Sequence, residues 1–533
     1  MLFDTMIIIF LLFTFYFNPD IAFQLNKNTI ILLVIISLKF VLQYFLIHPS
    51  YDLQRDEYLH LDQADHLAWG YISVPPVTSW ISFLIKILGN GFFWVKFFPA
   101  LFGALTIVLA WKITEILNGK LYALLLCATA ILLSSILRLN ILFQPNSLDV
   151  FSWTLVFFTV VKYVSTRNGN WLIATCIAFA FGFLCKYNIV FLLASLVPAI
   201  LLTQHRKVFL EKKLYAGIVI GILIVLPNIV WQIQNNFPTI AQLKELSESQ
   251  LVHVSRMDFL KDQFLLFAGS FFIIIAGFIA FIIYPPFRNY RFILISFIFS
   301  IALFAAMRAK SYYAIGLYPV ILAAGSVYLE SIFTKGWKYY LRPVAFILVL
   351  ILSIPFIILA FPYKKPDPLS YQNGIYKSTG MLRWEDGKDH QLPQDFADML
   401  GWRELAHKVD SLYSTIPDKT NTLIFCNNYG QAGSVNYYSK IREVNATSFN
   451  ADYINWIKFD KPIRHIILVQ EKDDIETLKK LSPFFSEIIF AGKIEDSLSR
   501  EYGTTIHFLK NAKINLNNVL SLKRKEILSE NEW

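Results

Sequence analysis

Long apolar runs cut by short polar loops occupy the chain between residues 29 and 361, and no other sequence feature constrains its fold as strongly. Such runs are long enough to cross about 30 Å of hydrocarbon as helices. We predict spans at 29–47, 92–117, 121–138, 147–165, 170–185, 188–203, 213–232, 263–284, 291–307, 311–330 and 338–360. The apolar segment Met1–Phe17 lacks a basic start and a small-residue cleavage site, so we interpret it as an uncleaved hydrophobic or interfacial segment. The predicted fold is a polytopic α-helical membrane protein of about 11–13 transmembrane helices.

The composition changes at residue 361, where the apolar runs stop. Of all residues 56% are hydrophobic and 16% are charged, whereas a soluble protein carries about 25% charged residues. Residues 1–361 are therefore the predicted transmembrane domain, because residues 362–533 have an ordinary soluble composition. Pro362–Pro368 is the predicted linker between the two domains.

Residues 362–533 alternate between helical and strand patterns. Helical patterns cover 399–415, 429–438 and 473–481, and strand patterns cover 422–426, 463–469, 487–490 and 504–508. This alternation predicts a soluble C-terminal α/β domain. Its simplest interpretation is a structural cover without chemistry.

Basic residues are concentrated in alternate short loops, at Arg167, 206–213, 288–291 and 335–342. By the positive-inside rule these loops are cytoplasmic, so the first outer loop, residues 48–91, and the C-terminal domain face the other side. We assign the net charge of +10 to contact with membrane lipids, and we set nucleic acid aside as a partner. The four cysteines have no CxxC spacing, so no disulfide framework or cysteine metal site is predicted.

The first outer loop contains two amphipathic patterns. One runs from Tyr58 to Trp69 before Gly70, and the other runs from Pro75 to Leu88 before Gly89. We predict two helices that lie along the membrane surface and roof a cavity formed by the spans.

An acidic pair, Asp56 and Glu57, stands at the start of the first of these helices. The helix dipole stabilises carboxylates at that position, so a capping role is one interpretation. The functional interpretation is that one carboxylate takes a proton from an acceptor hydroxyl while the other orients the site.

Further polar groups stand at span ends on the same predicted face. They are Asp149, Lys186 with Tyr187, and Lys310 to Tyr313. Charged residues at span ends also snorkel to the interface without any function. Their common sidedness favours a site at the outer face.

Several short motifs follow one another in a fixed order. After the acidic pair come Gly70-Tyr71, Pro75-Pro76, Pro145 to Asp149, Gly182 to Tyr187, and Lys310-Ser311-Tyr312-Tyr313 with Tyr318-Pro319. In this order the chain resembles the polyprenyl-phosphate-sugar glycosyltransferases. These are C-type glycosyltransferases related to protein O-mannosyltransferases and to the aminoarabinose transferase that modifies lipid A.

The resemblance implies an enzyme that transfers a sugar from a polyprenyl-phosphate donor to a lipid, glycan or protein at the outer face of a bacterial inner (plasma) membrane. It implies that Asp56 is the catalytic base, that Glu57 is its companion and that Asp149 lines the same cavity. A lipid phosphate at the membrane surface is held by cations and hydroxyl donors. The residues implied for substrate or lipid-phosphate binding are Arg138, Lys186, Tyr187, Lys310, Tyr312 and Tyr313.

The chain also departs from that pattern. The lipid A-modifying relatives carry a Glu-Lys pair before their proline motif, where this chain has Ser73-Val74. A divalent metal stays open as a cofactor, and no metal ligand is assigned. The alternatives are a flippase or transporter of lipid-linked sugars, a polymerase or ligase of surface glycans, and a non-catalytic relative that binds lipid. A transporter predicts polar residues at the membrane centre and on both faces, whereas here they favour one face.

Overall fold

The computed structural model describes residues 26–249, 255–367, 371, 374–384, 386–472 and 474–530. The predicted N-terminal segment Met1–Phe17 lies outside the described residues. The N-terminal part of the described chain is a bundle of apolar helices, and the C-terminal part is a mixed sheet with helices.

The bundle and the first loop contain sixteen α-helices among the described residues. Their bounds are α1 Lys27–Phe45, α2 Arg55–Asp62, α3 Val77–Ile87, α4 Phe92–Ile116, α5 Leu121–Leu132, α6 Ser135–Leu139, α7 Pro145–Thr166, α8 Asn170–Cys185, α9 Ile189–Leu201, α10 Lys212–Gln234, α11 Pro238–Ser249, α12 Arg256–Leu265, α13 Phe271–Ile283, α14 Arg291–Ala306, α15 Tyr318–Ile332 and α16 Leu341–Ala360.

Seven helical segments of the described chain are long and apolar enough to cross a membrane, and two bent helix pairs raise this number to nine. The bent pairs are Ile189–Leu201 with Gln204–Leu210, and Arg256–Leu265 with Ala268–Ile283. Two predicted spans hold short helices: α5 has 12 residues, fewer than its predicted window, and α8 has the predicted 16. At 1.5 Å per residue they reach only about 18 and 24 Å. These two helices occupy predicted windows but are too short to span by length alone.

The window 121–138 is shorter than predicted because a new helix begins inside it. The Ser134 hydroxyl accepts a hydrogen bond from the Ile136 amide and so caps α6. The apolar run therefore breaks into α5, a turn at Leu133 and Ser134, and the short helix α6. This break places Arg138 in the short helix α6 instead of at the end of a continuous span.

The C-terminal part forms a five-stranded sheet in the order β2-β1-β3-β5-β4. Strands β1, β2 and β3 are parallel to one another, and β5 runs antiparallel to both β3 and β4. The strands are β1 Thr422–Cys426, β2 Ala446–Thr447, β3 His465–Gln470, β4 Phe485–Lys493 and β5 Thr505–Ala512. The helices are α17 Ile375–Ser378, α18 Gln394–Ala397, α19 Trp402–Thr415, α20 Tyr429–Tyr438, α21 Tyr453–Trp456, α22 Ile475–Leu481 and α23 Leu516–Glu530.

This sheet confirms the predicted fold class, a helical membrane protein with a C-terminal α/β domain. The two-residue strand β2 and the helix α23 were not predicted from the sequence pattern. The last apolar helix ends at Ala360, which supports our proposed division of the chain at residues 361 and 362.

The first outer loop departs from its predicted arrangement. Helix α3 begins after Pro76 and is followed by Gly89 with a φ of 98°, as the proline and glycine predict. Helix α2 ends at Asp62 and does not lie on the membrane surface, because Glu57 to Leu61 are all buried. The C-terminal domain covers it: Tyr58 packs edge-to-face on Trp402 at 5.7 Å.

Candidate functional site

A cavity of about 460 Å³ lies where α2, the segment 135–146, the segment 310–315 and the C-terminal domain meet. We call it the junction cavity. One part of its wall is apolar, formed by Leu139, Leu142, Leu266, Ile315 and Phe356. The polar part consists of Gln54, Arg55, Asp56, Ser135, Arg138, Gln144, Asn146, Lys310, Tyr312, Gln394, Asp395, Asp398, Tyr429 and Arg500.

Asp56 lies in the first turn of α2 and lines this cavity. Its Oδ1 accepts a hydrogen bond of 2.6 Å from the Tyr429 hydroxyl. Its Oδ2 accepts one of 3.0 Å from the Gln144 side-chain amide. Both carboxylate oxygens are therefore oriented by side chains from two different parts of the chain.

Glu57, the neighbour of Asp56, points away from the cavity into the protein. It is 0% exposed and completes a capping box with Gln54. Its Oε2 lies 2.6 Å from the Lys96 ammonium, and its Oε1 accepts 2.7 Å hydrogen bonds from Lys96 and from the Phe143 amide. Glu57 thus ties α2 to α4 and to the segment that carries Gln144. The predicted companion of Asp56 is a structural neighbour and not part of the cavity wall.

Cationic groups stand around Asp56 on the polar wall. The Arg55 guanidinium lies 4.5 Å from the centre of the Tyr429 ring. Arg138 donates a 3.2 Å hydrogen bond to Asp395, and its other terminal nitrogen is buried without a partner among the described residues. The half-buried Lys310 side chain has no hydrogen-bond or ion-pair partner within the described part of the chain. The cavity therefore has positive charge that is not neutralised by the protein itself.

Besides Glu57, four predicted site residues lie outside the cavity wall. Lys186 stands one layer behind it, where its ammonium donates a 2.7 Å hydrogen bond to Asn146 and lies 5.2 Å from the Tyr312 ring. The Tyr313 ring also contacts Lys186, with its centre 4.5 Å from the ammonium. Lys186 and Tyr313 therefore stand behind the cavity wall, and their role in binding the lipid phosphate stays a prediction.

Asp149 and Tyr187 are the other two residues outside the wall. The buried Asp149 carboxylate accepts hydrogen bonds of 2.9 Å from the Trp153 indole and 2.8 Å from the Asn188 amide. The Tyr187 hydroxyl donates to Asn228 at 3.1 Å, which links the end of α8 to α10. Contrary to the prediction, Asp149 does not line the cavity, because its hydrogen-bonding capacity is directed into the helix bundle.

The C-terminal domain contributes residues that sequence patterns did not identify. Asp395, Asp398, Tyr429 and Arg500 all line the junction cavity. The Arg500 guanidinium forms an ion pair with the Asp398 carboxylate, with a nitrogen–oxygen distance of 3.3 Å. Burial raises the pKa of the Asp398 carboxyl to about 7, although Arg500 and Arg55 act in the opposite direction. The domain is therefore a wall of the cavity, and its interpretation as a cover without chemistry is incomplete.

Buried carboxylates fix the C-terminal domain on the first loop. Asp52 accepts hydrogen bonds from the backbone amides of Trp402 and Arg403, at 3.1 and 3.2 Å. Asp62 accepts from the Tyr453 hydroxyl at 2.6 Å and from the Asn436 amide at 2.7 Å. Such contacts hold the Tyr429 side chain against Asp56, because Asn436 and Tyr429 belong to the same helix α20.

Metal ligands are not gathered at this site. Among the residues that the structure describes, no three His, Cys, Asp or Glu side chains lie together in a way that could hold a metal ion. The arrangement instead combines the Asp56 carboxylate, cationic side chains of which Lys310 has no partner among the described residues, and an apolar wall. Such a set can bind an amphipathic anion and hold a base beside it.

Comparison with known proteins adds a family and a fold. Residues 73–231 match the family model described as dolichyl-phosphate-mannose-protein mannosyltransferase. No curated protein matches the chain in a sequence comparison.

Solved structures share the fold at low sequence identity. ArnT from Cupriavidus metallidurans bound to undecaprenyl phosphate has a TM-score of 0.59 and 14% identity, over 91% of this chain and 98% of ArnT. The structure of its apo state has a TM-score of 0.59 and 13% identity, over 92% of this chain and 99% of ArnT. The apo oligosaccharyltransferase from Archaeoglobus fulgidus has a TM-score of 0.51 and 13% identity, over 80% of this chain and 65% of the oligosaccharyltransferase.

The matched segment includes the second helix of the first loop and the motifs around Pro145 and Lys186. The similarity in fold extends over nearly the whole chain and includes the C-terminal domain. This chain therefore shares its fold with ArnT and with the oligosaccharyltransferase, and it contains a segment that matches the model of a protein mannosyltransferase family. Both findings confirm the resemblance inferred from the sequence motifs.

Proposed function

We propose that this protein transfers a sugar from a polyprenyl-phosphate donor to an acceptor hydroxyl at the outer face of the plasma membrane, with its C-terminal domain extracytoplasmic. One observation carries the proposal. The Asp56 carboxylate shares a cavity of about 460 Å³ with Arg138, Lys310 and an apolar wall. A sugar on a lipid phosphate needs both kinds of surface, because its phosphate is anionic and its chain is apolar.

Asp56 is the proposed general base. It takes the proton of the acceptor hydroxyl as that oxygen attacks the anomeric carbon. The bond between the anomeric carbon and the phosphate oxygen breaks, and polyprenyl phosphate leaves with the electron pair. Hydrogen bonds from Tyr429 and Gln144 hold the carboxylate in place, so its orientation does not have to be established during the reaction.

Lys310 and Arg138 are the proposed phosphate ligands, with Tyr312 as a hydroxyl donor beside them. Within the described part of the chain, the Lys310 ammonium and one Arg138 nitrogen have no partner, and this supports the assignment. Cations at the leaving phosphate stabilise the charge that develops there and make protonation unnecessary. Lys186 and Tyr313 act from behind the wall, where Lys186 orients Asn146 and Tyr312.

Glu57, Asp149 and Tyr187 are proposed positioning residues. Glu57 fixes the start of α2, on which Asp56 stands, against Lys96 and Phe143. Asp149 holds Asn188, whose amide also donates to the Tyr313 carbonyl at 3.1 Å. Tyr187 ties α8 to α10. Each acts on the cavity through a neighbour.

The comparisons support the donor class. The ArnT structure is of a complex with undecaprenyl phosphate, and the family model is described by a dolichyl-phosphate sugar donor. Both are polyprenyl phosphates. The sugar and the acceptor differ among these relatives, and the proposal leaves both open.

The test is transfer of radiolabelled sugar from synthetic polyprenyl-phosphate donors by the purified full chain, with membrane extracts as acceptors. We expect Asp56→Asn to lower the transfer rate at least about 100-fold, the scale of a lost general base. Asp65→Asn is the matched control, because Asp65 is an exposed carboxylate of the same loop outside the cavity.

A second pair of variants separates base from phosphate binding. Lys310→Ala should raise the KM for the donor about tenfold or more, whereas Lys335→Ala, an exposed lysine outside the cavity, should not. Equal transfer by Asp56→Asn and the native chain would remove Asp56 as the base. Donor binding without transfer to any extract would favour the transporter or the non-catalytic lipid-binding protein.

A further inference from the structure

A second cavity, of about 680 Å³, lies entirely within the C-terminal domain. We call it the domain cavity. It is formed between the segment 377–392 and the segment 497–502. We propose that the domain cavity binds the saccharide portion of the acceptor, an inference that rests on the proposed transferase function and specifies its acceptor class.

The floor of the domain cavity is apolar and rigid. Leu382 and Leu392 are buried, and the half-buried Trp384 lines the cavity together with them. The Trp384 indole donates a 2.8 Å hydrogen bond to the Leu392 carbonyl and stacks on the His390 ring at 3.7 Å. A fixed aromatic and aliphatic surface suits the C–H face of a sugar ring, because it removes apolar area from water at little entropic cost.

The rim of the domain cavity supplies both donors and acceptors. Lys377, Asp389, Gln391 and Ser497 all line it with exposed side chains. Within the described residues, Lys377, Gln391 and Ser497 have no side-chain hydrogen bond. Sugar hydroxyls donate and accept in alternation around a ring, and a mixed rim of this kind matches them. A lipid chain would need an apolar rim.

Arg500 connects the two cavities. It lines the domain cavity on one side and the junction cavity on the other. Its partner Asp398 also lines the junction cavity, 3.3 Å from the guanidinium. A saccharide seated on Trp384 can therefore extend past Arg500 and bring a terminal hydroxyl towards Asp56. The domain cavity is the acceptor's approach to the reaction site.

The experiment uses the purified full chain in detergent, labelled and applied to a printed array of defined neutral, amino and acidic oligosaccharides. We expect retention on a subset of them. Gln391→Ala and Asp389→Ala should each reduce that retention about tenfold, since each removes direct contacts of an exposed rim side chain. Asp460→Ala is the matched control, an exposed carboxylate of the same domain outside the cavity. Trp384→Ala should abolish retention. If the Trp384→Ala protein misfolds, Gln391→Ala and Asp389→Ala still test the proposal, because they change exposed side chains.

Transfer kinetics then link the cavity to the reaction. With the retained oligosaccharide as acceptor, Gln391→Ala should raise the acceptor KM while kcat and the donor KM stay unchanged. Three outcomes would overturn the inference. They are retention that persists in both rim variants, the absence of any retained oligosaccharide, and retention of a peptide library in place of oligosaccharides. Asp56→Asn should still be retained on the array, so saccharide binding without transfer would contradict the proposed function alone.

Discussion

The two helices of the first outer loop have similar amphipathic patterns and end in different environments. Helix α3 has an outward apolar face, with Phe83, Leu84 and Ile87 exposed on the isolated protein. Helix α2 has almost no exposed apolar side chain, because Tyr58, Leu59 and Leu61 are covered. The difference comes from the C-terminal domain, which packs on α2 and leaves the apolar face of α3 exposed.

This comparison shows why an amphipathic pattern does not identify its own partner. Periodicity says which face of a helix is apolar, but lipid and protein both satisfy that face. Helix α2 lies between the helix bundle and the C-terminal domain, and Asp56 on this helix lines the junction cavity. The predictions below test that difference, beginning with the largest expected effect.

The first prediction compares two ion pairs of the loop. Glu57→Ala leaves the buried Lys96 charge without its partner and should lower the free energy of unfolding by about 3–5 kcal/mol. Asp65→Ala removes the exposed pair with Lys86 on α3 and should cost less than about 1 kcal/mol. Thermal midpoints of the full chain in detergent measure both. Equal losses would contradict the assignment of α2 to the protein interior.

The second prediction concerns the contact between the domains at Asp56. Tyr429→Phe removes the hydroxyl that donates to Asp56 and should lower kcat about tenfold with little change in donor KM, which corresponds to about 1.4 kcal/mol. The matched control is Tyr437→Phe on the same helix, since Tyr437 does not line the junction cavity. An unchanged kcat in Tyr429→Phe would mean that the C-terminal domain does not orient Asp56.

The third prediction uses the buried carboxylate at the other end of α2. Burial raises the pKa of the Asp62 carboxyl to about 6, against hydrogen bonds from Asn436 and Tyr453 that lower it. The unfolded chain has a lower pKa of about 3.9, so between these values the folded protein binds a proton that the unfolded chain does not. The resulting stability is present at low pH and is lost as the pH rises through about 6.

This contribution should make the protein about 1 kcal/mol more stable at pH 5.5 than at pH 7.5. Asp62→Asn should remove that part of the pH dependence, and the exposed Asp460→Asn should leave it intact. Apparent Tm values at the two pH values measure the difference. If the native chain and Asp62→Asn lost the same stability between pH 7.5 and pH 5.5, the predicted stabilisation by Asp62 at low pH would be wrong.

The last and smallest effect belongs to α3. Ile87→Ser changes an exposed side chain and should alter the stability of the detergent-solubilised protein by less than about 0.5 kcal/mol. Leu59→Ser on the buried α2 is the counterpart and should destabilise it by several times that amount. Vesicle flotation should still detect Ile87→Ser if α3 contacts lipid. Similar stability losses in both variants would remove the distinction between the helices.

Part of the candidate site was predictable, because its residues stand beside motifs in loops of one predicted face. Asp56, Arg138, Lys310 and Tyr312 were predicted in this way and line one cavity. The roles within the acidic pair were harder to assign. Neighbouring residues on an α-helix point about 100° apart, so only the packing of α2 decides that Asp56 faces the cavity and Glu57 faces Lys96.

The residues that were missed are distant in sequence from the motifs. Asp395 lies in the four-residue helix α18, and Asp398 and Arg500 stand outside the helices and strands of a domain with an ordinary soluble composition. Tyr429 begins a helix that was predicted, but nothing in the local pattern distinguishes it from a packing tyrosine. Their function depends on which surface the domain presents to the first loop, and that surface is selected by Asp52, Asp62 and their hydrogen-bond partners.

The sequence by itself determined the membrane class and the C-terminal α/β domain, because hydrophobic length and periodicity are local properties of the chain. Tertiary structure alone decided that α2 is buried, that Glu57, Asp149 and Lys186 stand behind the cavity wall, and that Tyr429 and Arg500 belong to it. The physical reason is that docking of two domains joins residues hundreds of positions apart, through complementary buried polar contacts that no local pattern encodes.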